Sequence, residues 1–106
     1  KIIAFRDARD WKQFHTPKDL AVGLSLEAGE VLEHFLWKTP DEIASYLKTH
    51  KEEIADEMGD VLNYLLIMAN DFGIDLLDAT DKKIDKNAQK YPVDKAKGRH
   101  TKYDQL

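Results

Sequence analysis

Two acidic pairs in this 106-residue chain are spaced for one face of a helix: Glu27-Ala-Gly-Glu30 and Glu57-Met-Gly-Asp60. Residues three apart on a helix are neighbours, and like charges placed there repel. Both pairs also interrupt apolar stripes. Glu27 falls among Leu20, Leu24 and Val31 at helical spacing, and Glu57 falls between Ile54 and Val61. A carboxylate on a core-facing stripe is costly unless something positive compensates it. Four such groups converging between two helices would form a site for a hard cation, Mg²⁺ above all, which takes oxygen ligands and is usually held by a few carboxylates plus substrate phosphates. No nitrogen or sulfur ligand accompanies them, which argues against zinc. A di-iron bundle site would want Glu-x-x-His on two helices, and the residue three before the nearby His34 is Val31.

A second group of residues points the same way. Trp11, His15 and Trp37 lie close in sequence to the first acidic pair or to the segment that leads into its helix. Such rings are platforms for a flat base, with stacking worth about 1–3 kcal/mol per base. Lys83, Lys86 and Asn87 fall on the last helical segment, where they would meet phosphate oxygens. Cation site, aromatic platform and lysines together read as a nucleotide site. Taken singly, each has a plainer reading: solvated helix faces for the acids, packing for the tryptophans and Tyr64, ordinary surface for the lysines.

The elements that would position these groups are helices, with no convincing strand. An amphipathic segment from about Ile3 to His15 carries Phe5, Trp11 and Phe14. Thr16-Pro17 reads as an N-cap followed by Pro at the first helical position, opening a helix to about Trp37. Thr39-Pro40-Asp41-Glu42 repeats that signal and starts a short helix over Ile43 and Tyr46-Leu47. A long helix follows from about His50 to Phe72, with Gly73 as its stop. Asp75 would cap a last helix over Leu76 to Lys90, ended by Tyr91-Pro92. The expected architecture is an all-α, four- to five-helix antiparallel bundle with short loops. Residues 1–92 would form the domain and residues 93–106 an irregular tail. Packed antiparallel, the second and fourth helices would bring the two acidic pairs face to face, and the 26 residues between Glu30 and Glu57 suffice for the return.

Composition bounds the partners. One domain is the sensible count for this length, and oligomerisation would enlarge a modest core. A net charge of −4 gives no general pull toward nucleic acid or membrane. With no Cys there is no disulfide framework, thiol catalysis or zinc finger, which suits a reducing compartment. No apolar run approaches the roughly 20 residues of a membrane span, and no signal peptide is visible. A cytoplasmic location is expected.

The residues also carry a resemblance. The stretches RDWKQFHTPKDLAVGLSLEAGEVLEHFLWK, DEMGDVLNYL and KKIDKNAQKYP resemble the all-α nucleoside triphosphate pyrophosphohydrolases of the MazG superfamily, in particular their dCTP pyrophosphatase branch. The likeness runs from about Phe5 to Pro92, on a signature of Glu-x-x-Glu, a spacer, then Glu-x-x-Asp. It implies an Mg²⁺-dependent enzyme that converts a nucleoside triphosphate to monophosphate and pyrophosphate. Glu27, Glu30, Glu57 and Asp60 would be metal ligands. Trp11, Phe14, His15 and Trp37 would enclose base and sugar, Tyr64 would touch substrate, and Lys86 and Asn87 would lie near the phosphates. Glu30, Asp56 and Glu57 are the candidates for catalytic carboxylates. A homo-oligomer, dimer or tetramer, is implied, with sites built partly from neighbouring subunits. Cytosine-selective members carry a His nine residues before the Trp of this motif. Ile2 stands there in this chain, and an apolar group implies a looser base choice than a hydrogen-bonding one. Two competing readings are a catalytically silent scaffold that binds nucleotide or metal, and a di-metal redox bundle.

Overall fold

The computed structural model describes residues Lys1–Leu106, and its regular structure is entirely helical. In chain order the helices are α1 (Ile2–Ala8), α2 (Pro17–Glu33), α3 (Pro40–Thr49), α4 (Lys51–Phe72), α5 (Leu76–Lys90) and α6 (Val93–Ala96), with 3-10 turns over Lys12–Phe14 and Tyr103–Gln105. The chain divides into two compact units, Lys1–Gly73 and Ile74–Leu106.

Most helix ends follow from local chemistry. Thr16 Oγ1 accepts from the Asp19 N–H at 3.2 Å with Pro17 at the first helical position. At α3 the Thr39 hydroxyl accepts from the Glu42 N–H at 3.3 Å, capping the helix, and donates to Glu42 Oε1 at 3.1 Å. Asp75 Oδ1 caps α5 through the Asp78 N–H at 3.1 Å. Gly73 closes α4 at φ 66°, a left-handed position that glycine takes without steric cost.

Two helices are shorter than their periodicity predicts. The first ends at Ala8 rather than His15, because Asp10 takes a left-handed conformation (φ 52°) and breaks the hydrogen-bond ladder. The Gln13 amide donates to the Asp10 carbonyl and to Oδ2, both at 3.0 Å, and holds the turn. The second ends at Glu33 rather than Trp37. The chain must turn before the Thr39-Pro40 cap, and Trp37 absorbs the reversal at φ 64°. His34 Nδ1 lies 2.6 Å from Tyr46 Oη across this turn, and the His50 ring stacks on Tyr46 with centroids 3.9 Å apart. The expected irregular tail contains one helical turn, α6, and one 3-10 turn.

Within the first unit the framework is α2 against α4, with α1 also packed on α4. The pairing is antiparallel. Gly23 lies against Tyr64, Glu27 against Asp60 and Glu30 against Glu57, so numbers rise along α2 as they fall along α4. Leu20, Ile54 and Ile67 are the buried apolar residues. At the far end of α4, Arg6 is only 2% exposed, and its guanidinium donates two hydrogen bonds to Asp71, at 2.7 and 3.0 Å. That bidentate pair fixes α1 to α4. Much apolar surface stays uncovered, including Leu26 and Leu32 on α2 and Met58 and Leu62 on α4.

The second unit is held by its own contacts. Tyr91 and Tyr103 meet edge to face at 6.0 Å, and the Lys90 ammonium sits 4.8 Å over the Tyr103 ring. No helix of the chain is long and apolar enough to cross a membrane.

Candidate active site

The antiparallel register brings Glu27 of α2 level with Glu57 and Asp60 of α4. One carboxylate oxygen from each lies within 4.8 Å of the others. No Lys, Arg or His forms an ion pair with any of them, since the ion pairs of the chain are Arg6 with Asp7 and Asp71, and Lys82 with Asp78. Glu27 Oε2 and Glu57 Oε2 are buried without a hydrogen-bond partner. Buried polar atoms are normally satisfied, so two orphaned carboxylate oxygens within one acidic cluster ask for a ligand.

The acids respond to this crowding. The Glu57 carboxyl is pushed up to about 7, first by a hydrogen bond to Glu30, then by burial and by the charges of Glu30, Glu27 and Asp60. Glu27 is also raised, chiefly by burial and then by Glu30 and Asp60. Glu30 itself is exposed and stands beside both, outside the group of three whose ligand atoms converge. An all-oxygen set of carboxylates, partly desolvated and repelling one another, is what a hard divalent cation would neutralise. Asp56 lies exposed on α4 and is not among the converging acids.

A cavity of about 670 Å³ opens beside the acids, within the usual range for small-molecule sites. Glu27 and Asp60 line one part of it. Trp11 and His15 line another, brought there by the break after α1. That break also sets the Trp11 ring edge-on to Phe5, with centroids 5.7 Å apart. His15 Nδ1 is a further buried atom without a partner. Along α4, Asp60, Asn63, Tyr64 and Ile67 follow one another at helical spacing down the cavity wall, and α1 contributes Ile2, Phe5 and Arg6.

Of the residues singled out from sequence, the structure thus brings together Glu27, Glu57, Asp60, Trp11, His15 and Tyr64, with Glu30 alongside. It does not bring Phe14 or Trp37 to the cavity wall. Phe14 is exposed, and Trp37 is 92% exposed in its left-handed turn. Lys86 and Asn87 lie on the exposed surface of α5 in the second unit.

Three residues at the site escape a reading by motif. Gly23 is where the Tyr64 ring packs on α2: a Cβ there would collide with the ring. Arg6 forms cavity wall while its guanidinium is committed to Asp71. Asn63 sets a neutral amide between Asp60 and Ile67. Only Asn63 had a sequence signal, a polar residue on the apolar stripe of α4. The other two depend on partners far along the chain.

Comparison with known proteins places the chain among relatives. The model of the MazG-like family matches residues 22–106. The chain is 40% identical over 104 residues to mouse dCTP pyrophosphatase 1 and 38% identical over 104 residues to the human protein, in each case across 96% of this chain. It spans 61% of the length of these curated relatives. The crystal structure of a pyrophosphatase from Archaeoglobus fulgidus superposes with a TM-score of 0.81 at 42% identity, covering 86% of this chain and 85% of that one.

Proposed function

The chain belongs to the MazG-like family, and on that premise we propose that it is an Mg²⁺-dependent nucleoside triphosphate pyrophosphohydrolase. Its substrate is a deoxynucleoside triphosphate, dCTP or a related pyrimidine nucleotide, and its products are the monophosphate and pyrophosphate. The observation that carries this reading is the pair of orphaned carboxylate oxygens, Glu27 Oε2 and Glu57 Oε2, at the edge of a cavity with an aromatic wall.

Glu27, Glu57 and Asp60 would hold the cation, with Glu30 completing the set. When bound, Mg²⁺ supplies positive charge against the triphosphate and lowers the pKa of water. The remaining work falls to the chain itself. Trp11 and His15 flank the base and sugar, and Tyr64, wedged against Gly23, positions the nucleotide relative to the acids. A water attacks the α-phosphorus, the new phosphorus–oxygen bond forms, and the bond to the β-phosphate oxygen breaks to release pyrophosphate. Glu30, exposed and within reach of Glu57, takes the proton that this water loses. Asp56 is the poorer candidate because it stands outside the converging group. Positioning and electrostatics dominate such phosphoryl transfers.

The working unit is a homo-oligomer, a dimer or tetramer. A chain of this length that buries three apolar residues and leaves Leu26, Leu32, Met58, Leu62 and Trp37 exposed has faces that a second copy would cover. Trp37 and Phe14, which stand off the cavity wall in the single chain, would reach substrate within that assembly.

Incubation of the purified protein with Mg²⁺ and dCTP, with the products resolved, tests the reaction. Monophosphate with pyrophosphate is expected. Diphosphate with orthophosphate, or no turnover of any nucleotide, would overturn the reading.

A further inference from the structure

We propose that Asn63 reads the nucleobase edge, and that its amide accepts 4-amino and 4-oxo pyrimidines alike. The inference rests on the pyrophosphohydrolase reading and deepens it.

Several polar groups on the cavity wall are already committed. Glu27 and Asp60 belong to the acidic cluster, and the Arg6 guanidinium is spent on Asp71. Asn63 forms none of the side-chain hydrogen bonds of the protein, whereas Gln13 and Asn70 use their amides locally. Asn63 is half-buried as a residue, and its amide has no partner within the protein. Leaving it so in the complex would be costly, because a buried amide without a partner forfeits its hydration.

Its position suits a base. Asn63 lies one helical turn from Asp60, and Ile67 lies a turn beyond, each turn advancing about 5 Å along the axis. A nucleotide whose phosphates face the acids therefore extends past Asn63 toward the apolar part of the cavity, where Ile2, Leu66 and Ile67 line the wall. Those aliphatic groups exclude water and offer no hydrogen bonds. Of the uncommitted polar groups on the wall, which include Lys1, His15 and Tyr64, the Asn63 amide alone offers a donor and an acceptor side by side.

An amide carries one acceptor oxygen and two N–H donors. With Oδ1 toward an exocyclic amine and Nδ2 toward the unprotonated ring nitrogen, it matches a 4-amino pyrimidine. Turned by half a rotation about its last side-chain bond, it donates to a 4-oxo group and accepts from the ring N–H. Aliphatic neighbours cannot prefer one orientation, and no protein hydrogen bond fixes it. A carboxylate only accepts, and each base edge offers one donor and one acceptor, so it would keep one hydrogen bond and set its other oxygen against a lone pair with either base.

The test compares kcat/KM for dCTP and dUTP in the wild-type protein, Asn63→Asp and Asn63→Leu, with thermal melts to confirm that each variant folds. The wild-type protein is expected to turn over both substrates within about ten-fold of each other. Asn63→Asp, which keeps an acceptor and loses the donor, lowers kcat/KM for both substrates by roughly ten-fold or more, the scale of a bidentate base contact. Asn63→Leu lowers kcat/KM for both by a similar factor, mainly through KM, and leaves the ratio unchanged. Turnover of dCTP with more than about a hundred-fold rejection of dUTP by the wild-type protein, or unaltered kcat/KM in both Asn63→Asp and Asn63→Leu, would overturn this inference and spare the reaction itself. Absence of all turnover in the wild-type protein would overturn both.

Discussion

The two ends of α4 treat buried charge in opposite ways. Near its C-terminus Asp71, 15% exposed, accepts two hydrogen bonds from Arg6, which holds the carboxyl below the usual range. Nearer its N-terminus Glu57 faces Glu27, Glu30 and Asp60, and its carboxyl is pushed up to about 7. Satisfied charge at one end joins α1 to α4. Unsatisfied charge at the other does nothing for the isolated fold and is retained beside a cavity. A carboxylate that carries its own counter-ion is part of the frame, while one that lacks it is waiting for a ligand.

Substitutions at the two ends separate these roles. Glu57→Gln is expected to lower kcat/KM for dCTP by about a hundred-fold or more, the scale for deleting one electrostatic group from a site, while the protein stays folded. Arg6→Met reverses the pattern. It leaves Asp71 without its partner and costs about 2–3 kcal/mol of stability, somewhat below the roughly 3–5 kcal/mol of a fully buried pair because Asp71 is partly exposed. A chemical denaturation curve reads that loss, and an unchanged midpoint would erase the contrast between the ends.

Gly23→Ala probes the contact that joins the site to the frame. The added methyl meets the Tyr64 ring, so overpacking of about 1–3 kcal/mol competes with a gain of up to about 1 kcal/mol in helix propensity. The expected outcome is a small net loss of stability and a larger loss of kcat, as Tyr64 moves from its place beside the acids. The melting temperature and kcat, measured together, check it.

The smallest effect is on pH. Glu57 in the folded protein titrates near 7, above its ordinary value of 4.5, so between those values the folded state binds more protons than the unfolded state. This group therefore lowers the stability of the metal-free protein as pH rises from about 4.5 to 7, and Glu27 acts in the same direction. Asp71, lowered by Arg6, gives stability that is present above its unfolded pKa and lost only as pH falls through its depressed folded value. Thermal melts in chelator between pH 5 and 8 are expected to show a gentle decline, and Glu57→Gln flattens it.

The parts legible in the sequence were those written locally. Thr16-Pro17, Thr39-Pro40, Asp75 and Gly73 each mark a helix end with chemistry confined to a few residues. The acidic pairs were legible because carboxylates on apolar stripes are costly, and the register α2 and α4 adopt is the one that brings Glu27 to Glu57 and Asp60. The break after Ala8 was not, because Asp10 enters the left-handed region with neither Gly nor Pro to announce it. Arg6 and Gly23 were hidden for another reason. The carboxylate that pairs with Arg6 lies 65 residues away, and Gly23 shows its purpose only once Tyr64 from α4 lies on it. Asn63 carried the same polar-on-apolar signal as Glu57, in a weaker form because an amide is less costly to bury than a charge.

Melting curves at pH 8 test most directly whether the acids at the N-terminal half of α4 form a cation site. Wild-type protein and Glu57→Gln would each be heated in chelator and in excess Mg²⁺. Glu57→Gln is expected to melt higher than wild type in chelator, since one repelling carboxylate is gone, and Mg²⁺ is expected to raise the wild-type melting temperature while scarcely moving that of the variant. A wild-type melt that ignores Mg²⁺, or a variant less stable than wild type in chelator, would contradict that reading.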